Sequence, residues 1–157
     1  MKQFNIEVPV TALQRHELTE IQLRLADAAL EATHRSYAPY SHFSVGAAIL
    51  LSNGQIVTGS NQENAAFPSG TCAERTAAFY AHSAYPDATF QMIAIAARDS
   101  SGAQTPYPIS PCGACRQALL EFETLAGHDI PLLLVGEQDI YLLPSIRSLL
   151  PLAFSEF

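Results

Sequence analysis

Positive charge is what this sequence of 157 residues has least of: lysine occurs once, at Lys2, and Arg15, Arg24, Arg35, Arg75, Arg98, Arg116 and Arg147 stand singly. Fifteen acidic residues against eight basic ones leave a net charge of −7. Affinity for a nucleic acid comes largely from clustered Lys and Arg that neutralise phosphates, so composition argues against a DNA or RNA partner. Charge of either sign is sparse, at 15% of residues, which fits a small domain whose surface is partly covered by other subunits. Long apolar runs are missing too. The longest, Val45 to Leu51, is far short of the roughly 20 residues a membrane-spanning helix needs, and no membrane partner is expected. No early stretch combines a basic start, an apolar run and a small-residue cleavage site, so no secretory signal is expected. Cysteine occurs three times, an odd number that suits a disulfide framework poorly. A reducing cytoplasm, where thiols stay free to bind metal, is the expected location.

What is present is an ordinary apolar inventory, 48% of residues, in a chain long enough for a single domain over 1–157 to bury its own core. Leu18, Ile21, Leu25, Ala28, Ala29 and Ala32 recur at helical spacing and predict an amphipathic helix from about Glu17 to His34. The segment Tyr37-Ala-Pro-Tyr-Ser41 ends it, because a residue before proline is biased away from helix. Phe43 to Leu51 reads as a buried strand, with Gln55 to Ser60 returning through an Asn53-Gly54 turn. A helix from Gly70 to Ala84, a strand from Phe90 to Ala97 and a Gly- and Pro-containing loop follow. The next helix is expected over Pro111 to Ala126, with Ser110 as N-cap and Pro111 at its first position. Pro131 to Val135 and Ile140 to Leu143 are short strands, and a small helix covers about Ser145 to Leu150. The order predicts an α/β fold with one mixed, five-stranded sheet covered by helices on both faces. Both cysteine-bearing segments then fall at helix starts after strands, where such sheets commonly place their chemistry.

Cys112 and Cys115, three apart at a helix start, can point at one ion, and Cys72 can supply a third ligand from another helix. Three protein ligands and an open fourth corner describe a catalytic zinc site, whereas structural sites close with four. Water on such a zinc loses a proton near neutral pH. Three thiolates on a divalent ion leave an unfavourable negative charge, which helix N-termini and the neighbouring Arg75 can offset. Each element also has a plainer explanation. A lone CxxC serves redox chemistry or half of a structural zinc site. Thr71-x-x-Glu74 is a capping box, Arg75 a solvated surface residue, and Phe43 a core side chain. The joint pattern, Cys-x-Glu with Pro-Cys-x-x-Cys, favours catalysis, with Glu74 as the proton carrier.

Cys72-Ala-Glu-Arg75-Thr-Ala and Ser110-Pro-Cys-Gly-Ala-Cys-Arg-Gln117 closely resemble the small cytidine deaminases. Tyr37-Ala-Pro-Tyr-Ser-His-Phe-Ser-Val-Gly-Ala-Ala48, Asn61-Gln-Glu-Asn-Ala65 and Leu149-Leu-Pro-Leu-Ala-Phe154 are similar to that family's segments in the same order, so the resemblance covers about Leu18 to Phe154. It implies a three-layer α/β/α sandwich, one zinc ion per subunit, and a homotetramer with shared active sites. It further implies that Phe43 packs against the pyrimidine and that Asn61 and Glu63 hydrogen-bond the ribose hydroxyls. Backbone groups of Cys72 and Ala73 would read the base edge, and Phe154 would reach a neighbouring subunit's pocket. From sequence alone, packing of Phe154 on its own subunit is an equal alternative. Gln62 stands where the family often has valine and Phe67 where tyrosine is common, and the loop from Asp99 to Ile109 is longer than in the shortest relatives.

The implied activity is hydrolytic deamination of cytidine, deoxycytidine or both. A related deaminase of a nucleoside antibiotic or a free base is the nearest alternative, and a free base would leave Asn61 and Glu63 without a ribose to bind. A polynucleotide substrate lacks a basic, aromatic track to hold it. A non-catalytic zinc module is the alternative from another class, and metal removal would unfold it while replacement of Glu74 changed nothing.

Overall fold

Ser44–Leu51 is a nearly continuous apolar run, as a strand with no solvated face must be, and it forms β2 in the interior of the sheet. The structure is a computed structural model described over residues 1–155; Glu156 and Phe157, the last two residues of the expected domain, lie outside the described residues. β2 pairs antiparallel with β3 (Ile56–Ser60) on one side and with β4 (Phe90–Arg98) on the other. In the hairpin turn Gly54 alone takes a left-handed conformation, φ 83°, and its N–H donates to Leu51 O at 2.9 Å. That is a longer connection than a two-residue Asn-Gly turn, which needs positive φ at both centres.

β4 lies parallel to β5 (Leu132–Val135), and parallel neighbours require a crossover, which α3 (Gly113–Ala126) supplies. β5 then pairs antiparallel with β6 (Ile140–Leu143). The sheet has six strands rather than the expected five, because β1 (Thr11–Leu13) adds antiparallel to β6, giving the order β1-β6-β5-β4-β2-β3. β1 has two exposed residues and no apolar alternation. Its reason for being a strand lies in the edge that β6 would otherwise leave unpaired, which no local pattern reveals.

The helices cover both faces, as expected. Along α1 (Glu20–Ala32), Leu25, Ala26 and Ala29 pack on Ala48, Ala94, Ala96 and Leu133. On the opposite face α2 (Ala73–Ala84) and α3 set Ala77, Ala81, Leu119 and Phe122 against Ile49, Ile93, Ile95 and Leu134. Alternate residues of each strand serve the two layers, giving the α/β/α sandwich. A Cβ at Gly59 would meet Ala77 N at 2.5 Å and Ala73 O at 2.8 Å. Glycine on β3 therefore lets the first turns of α2 approach strand backbone directly, and this contact fixes where α2 begins.

Several helix ends differ from expectation. α1 starts at Glu20 because Thr19 caps it, sharing a reciprocal pair of hydrogen bonds with Gln22, and Glu17 belongs to a preceding 3-10 turn. α3 starts at Gly113 with Cys112 as N-cap; Ser110 is not the cap, and Pro111 lies before the helix. Ser110 Oγ and Pro111 O instead accept from the guanidinium of Arg116, which draws them onto the side of α3. The last helix is a 3-10 turn, Ile146–Leu149, capped by Ser145. Among the described residues no helix is long and apolar enough to cross a membrane.

Candidate metal centre

Cys72 and Cys112 occupy equivalent places, each an N-cap in extended backbone, and neither uses its side chain to cap its own helix. A thiol is a weak acceptor, so it competes poorly for the first-turn N–H groups and is left to other partners. Cys115 sits one turn into α3 and is buried. The three Sγ atoms lie within 4.8 Å of one another, with Cys72 and Cys112 3.9 Å apart. Two sulfurs about 2.3 Å from a tetrahedral zinc are separated by about 3.8 Å, so this triad has the spacing of one zinc ion with an open fourth corner.

The electrostatics of the cluster favour the same ion. The Cys72 thiol is held down to about 5, first by a hydrogen bond from Cys115 and also by Arg75, whose Nη2 lies 4.0 Å from Cys72 Sγ. Cys115 is pushed up as the donor of that pair, by burial, and by the negative charge of Glu74. Glu74 is 4% exposed, and its carboxyl is raised above the usual range by burial and by the charge on Cys72. Three thiols and a carboxyl thus crowd one place, and a divalent cation relieves that crowding as it displaces thiol protons. Two helix N-termini add positive potential at Cys72 and Cys112. The Arg75 Nη2 contact keeps guanidinium charge beside the sulfurs, while its buried Nε has no hydrogen-bond partner among the described residues. The capping-box alternative does not describe Glu74: the cap is Cys72, and Thr71 pairs its backbone with Gln62 instead.

Backbone hydrogen bonds link the segments that carry the other expected site residues, with one exception, to the start of α2. Gln62 exchanges backbone hydrogen bonds with Thr71, at 2.8 and 2.9 Å, while Tyr37 bonds Asn61 O and receives Glu63 N–H. The loop 36–43, the strand end 61–63 and the Cys72-Ala73 helix start are thereby tied side by side. His42, at φ 55°, turns the chain sharply into β2 and leaves Phe43 half-buried. Asn61 is largely committed within the protein. Its Oδ1 accepts from Ser36 Oγ at 2.5 Å and Val45 N at 2.8 Å, and its Nδ2 donates to Phe43 O at 2.9 Å, so one N–H remains for a ligand. Glu63 Oε2 accepts from Tyr40 N at 2.8 Å and Ser41 N at 3.2 Å. Its carboxyl lies below its ordinary value through these bonds, the Ser41 hydroxyl foremost. Phe154 is the exception. It lines a cavity of about 500 Å³ with Phe79, Gln117, Leu120 and Phe122, a lining that includes none of Cys72, Glu74, Cys112 or Cys115.

Comparison with known proteins agrees with this geometry. Residues 19–126 match the family described as the cytidine and deoxycytidylate deaminase zinc-binding region. A cytidine deaminase of Halalkalibacterium halodurans is 39% identical over 127 residues, covering 81% of this chain and 89% of that protein. One from Sporosarcina psychrophila is 40% identical over 126 residues, with 80% and 85% covered. The crystal structure of cytidine deaminase from Burkholderia pseudomallei superimposes with a TM-score of 0.70 at 37% identity, over 87% of this chain and all of that one.

Proposed function

The chain belongs to the cytidine and deoxycytidylate deaminase zinc-binding family, and on that premise we propose how its residues hydrolyse the amino group of a cytosine nucleoside. The observation that carries the reading is the convergence of three thiol sulfurs within 4.8 Å at the start of the helix that holds Glu74. Cys72, Cys112 and Cys115 would hold a zinc ion, which when bound would supply a water acidic near neutral pH. Glu74 would take a proton from the attacking water and hand it to N3 of the ring, which makes C4 electrophilic enough to accept the oxygen. Glu74 would then move the remaining proton of the oxygen added at C4 to the exocyclic amine, so that the C–N bond breaks, ammonia leaves, and the C4 carbonyl of uridine remains. One carboxylate serves both transfers because the atoms involved are neighbours, and a carboxyl with a raised affinity for protons is suited to the task. Arg75 offsets the negative charge of the thiolates and so favours proton loss from the water.

Phe43 packs on the base, the backbone at Cys72 and Ala73 reads its edge, and Glu63 with the remaining Asn61 N–H binds the ribose. The acidic balance of the chain and the ionised Glu63 oppose a phosphate dianion. Purified zinc protein is therefore expected to convert cytidine and deoxycytidine at least about tenfold more efficiently than deoxycytidine monophosphate, a discrimination of about 1.4 kcal/mol. Loss of cytosine absorbance is the readout. Equal efficiency on the monophosphate overturns the nucleoside assignment, and no turnover on any of them overturns the deaminase reading.

We place this single domain, 1–157, in a cytoplasmic homotetramer. Free thiols suit that compartment, and Phe79, Tyr80, Leu125 and Phe154, all more than half exposed, give α2, α3 and the tail an apolar outer surface. In that assembly Phe154 covers the pocket of a neighbouring subunit. Phe154→Ala should raise KM about tenfold or more with little change in kcat, since an aromatic contact of about 1.5–3 kcal/mol is lost from the bound base. Co-expression with Glu74→Ala chains checks the sharing. Mixed tetramers should contain sites of near-normal KM, and behaviour equal to the sum of the two variants counts against it.

A further inference from the structure

The reaction outlined above leaves the Cys-Arg-Gln end of the second motif without a task, yet Arg116 is among the most connected side chains near the metal. Its Nε donates to Pro111 O at 2.8 Å, its Nη2 to Ser110 Oγ at 2.9 Å, and its Nη1 to Leu149 O at 3.1 Å. Two of these acceptors belong to the residues immediately before Cys112. The third lies in the C-terminal 3-10 turn, 33 residues further along the chain. Gln117 continues the pattern, with Nε2 donating to Phe154 O at 2.8 Å. The loop that enters Cys112 begins at Asp99, where β4 ends, and residues 105–106 are tied to Ala97, Glu137 and Gln138. Its last stretch before the metal ligand is held to α3 by Arg116. A guanidinium presents its donors in a rigid plane, so three acceptors bound at once have their relative positions fixed, which a lysine ammonium on a flexible stem does not achieve.

We infer that Arg116 is a positioning residue that locks the metal-ligand loop Ser110–Cys112 to the C-terminal tail bearing Phe154, so that zinc retention and substrate affinity depend on one side chain. The inference rests on the zinc deaminase reading. The arrangement makes the tail a brace for the metal loop as well as a part of the pocket, because either one moves only by breaking bonds to the same guanidinium.

Three measurements on the zinc protein test it, two of them without substrate. In Arg116→Gln, zinc loss to the chelator 4-(2-pyridylazo)resorcinol should quicken about tenfold or more, since hydrogen bonds from a charged group are lost. Tryptic cleavage at the exposed Arg147, followed by Ser148 in the braced turn, should quicken similarly, well below the melting temperature. KM for cytidine should rise more than kcat falls. Arg116→Lys should resemble Arg116→Gln in zinc loss, and Ser110→Ala combined with Arg116→Gln should be no worse than Arg116→Gln alone, as expected for partners in one contact. If Arg116→Gln does not fold, Arg116→Lys and Ser110→Ala carry the same test. Zinc loss and tail cleavage at the unsubstituted rates in a folded variant, or full rescue by lysine, overturn the inference. Zinc content and cytidine turnover of the unsubstituted protein are measured first. Failure there sinks the deaminase reading, whereas failure confined to the Arg116 variants sinks the brace alone.

Discussion

Glu74→Gln should retain zinc and its fold while losing deamination by about three orders of magnitude or more. A positioned acid or base contributes about 10²–10⁴ in rate, and Glu74 is assigned both transfers of the cycle, which puts the loss toward the upper end. Glutamine keeps the size and shape of the side chain, so the 4% exposed space on α2 stays filled. It cannot take up a proton near neutral pH. The three sulfurs are unaffected by the change, because Cys72 caps the helix without help from Glu74 and the other two lie on α3. KM should change much less than kcat, since the proposed hold on the base comes from Phe43 and backbone rather than from Glu74. The measurement is steady-state deamination of cytidine by protein whose zinc content has been determined. A near-normal rate at full zinc occupancy would end the assignment of Glu74 as proton carrier.

The metal centre was legible in the sequence because its parts are local. Cysteines three apart at a helix start share a face whatever the rest of the chain does, and Cys-x-Glu sets a ligand and a carboxyl within one turn. Layering was legible for a similar reason, since apolar runs such as Ser44–Leu51 announce strands covered on both faces. What escaped is long-range. β1 exists to finish an edge 127 residues away, where Leu13 meets Ile140. The cap of α3 is Cys112 because Arg116 claims Ser110, and propensity alone favours serine there. Asn61 resembles a free sugar-binding amide in sequence, yet three of its hydrogen-bonding positions are taken by Ser36, Val45 and Phe43. The Cys-Arg-Gln sequence was visible as a motif, but its acceptors in the C-terminal turn and tail were not.

Glu123 is another residue whose weight is invisible in sequence, and Glu123→Ala is expected to cost about 3–5 kcal/mol of folding stability, because it strips several buried donors of a charged acceptor. The side chain is 6% exposed on α3. Its Oε2 accepts from Ile130 N at 2.9 Å and Ile146 N at 2.8 Å, and its Oε1 from Ser145 Oγ at 2.9 Å and Arg147 N at 3.2 Å. One carboxylate thus satisfies the chain entering β5 and the first N–H groups of the 3-10 turn that leads to the tail. Alanine leaves the Ile130 and Ile146 N–H groups and the Ser145 hydroxyl without this acceptor, at about 1–3 kcal/mol each before any relaxation or water entry, while Arg147 N keeps Ser145 Oγ at 3.0 Å. For a chain of this length the loss corresponds to a fall in melting temperature of roughly 6–20 °C, from about 2–4 °C per kcal/mol. Glu123→Gln should fall between, because its amide keeps one good acceptor but turns NH₂ toward groups that donate. The turn carries Leu149, the acceptor for Arg116, so Glu123→Ala should also loosen the tail at temperatures where the protein remains folded. KM for cytidine should rise there while zinc-loaded kcat changes less. Thermal and urea unfolding of the zinc protein supply the first number and steady-state kinetics the second. A stability change under about 1 kcal/mol, within the range of ordinary surface substitutions, would mean that water replaces the carboxylate at little cost and that the turn is held by its apolar contacts instead.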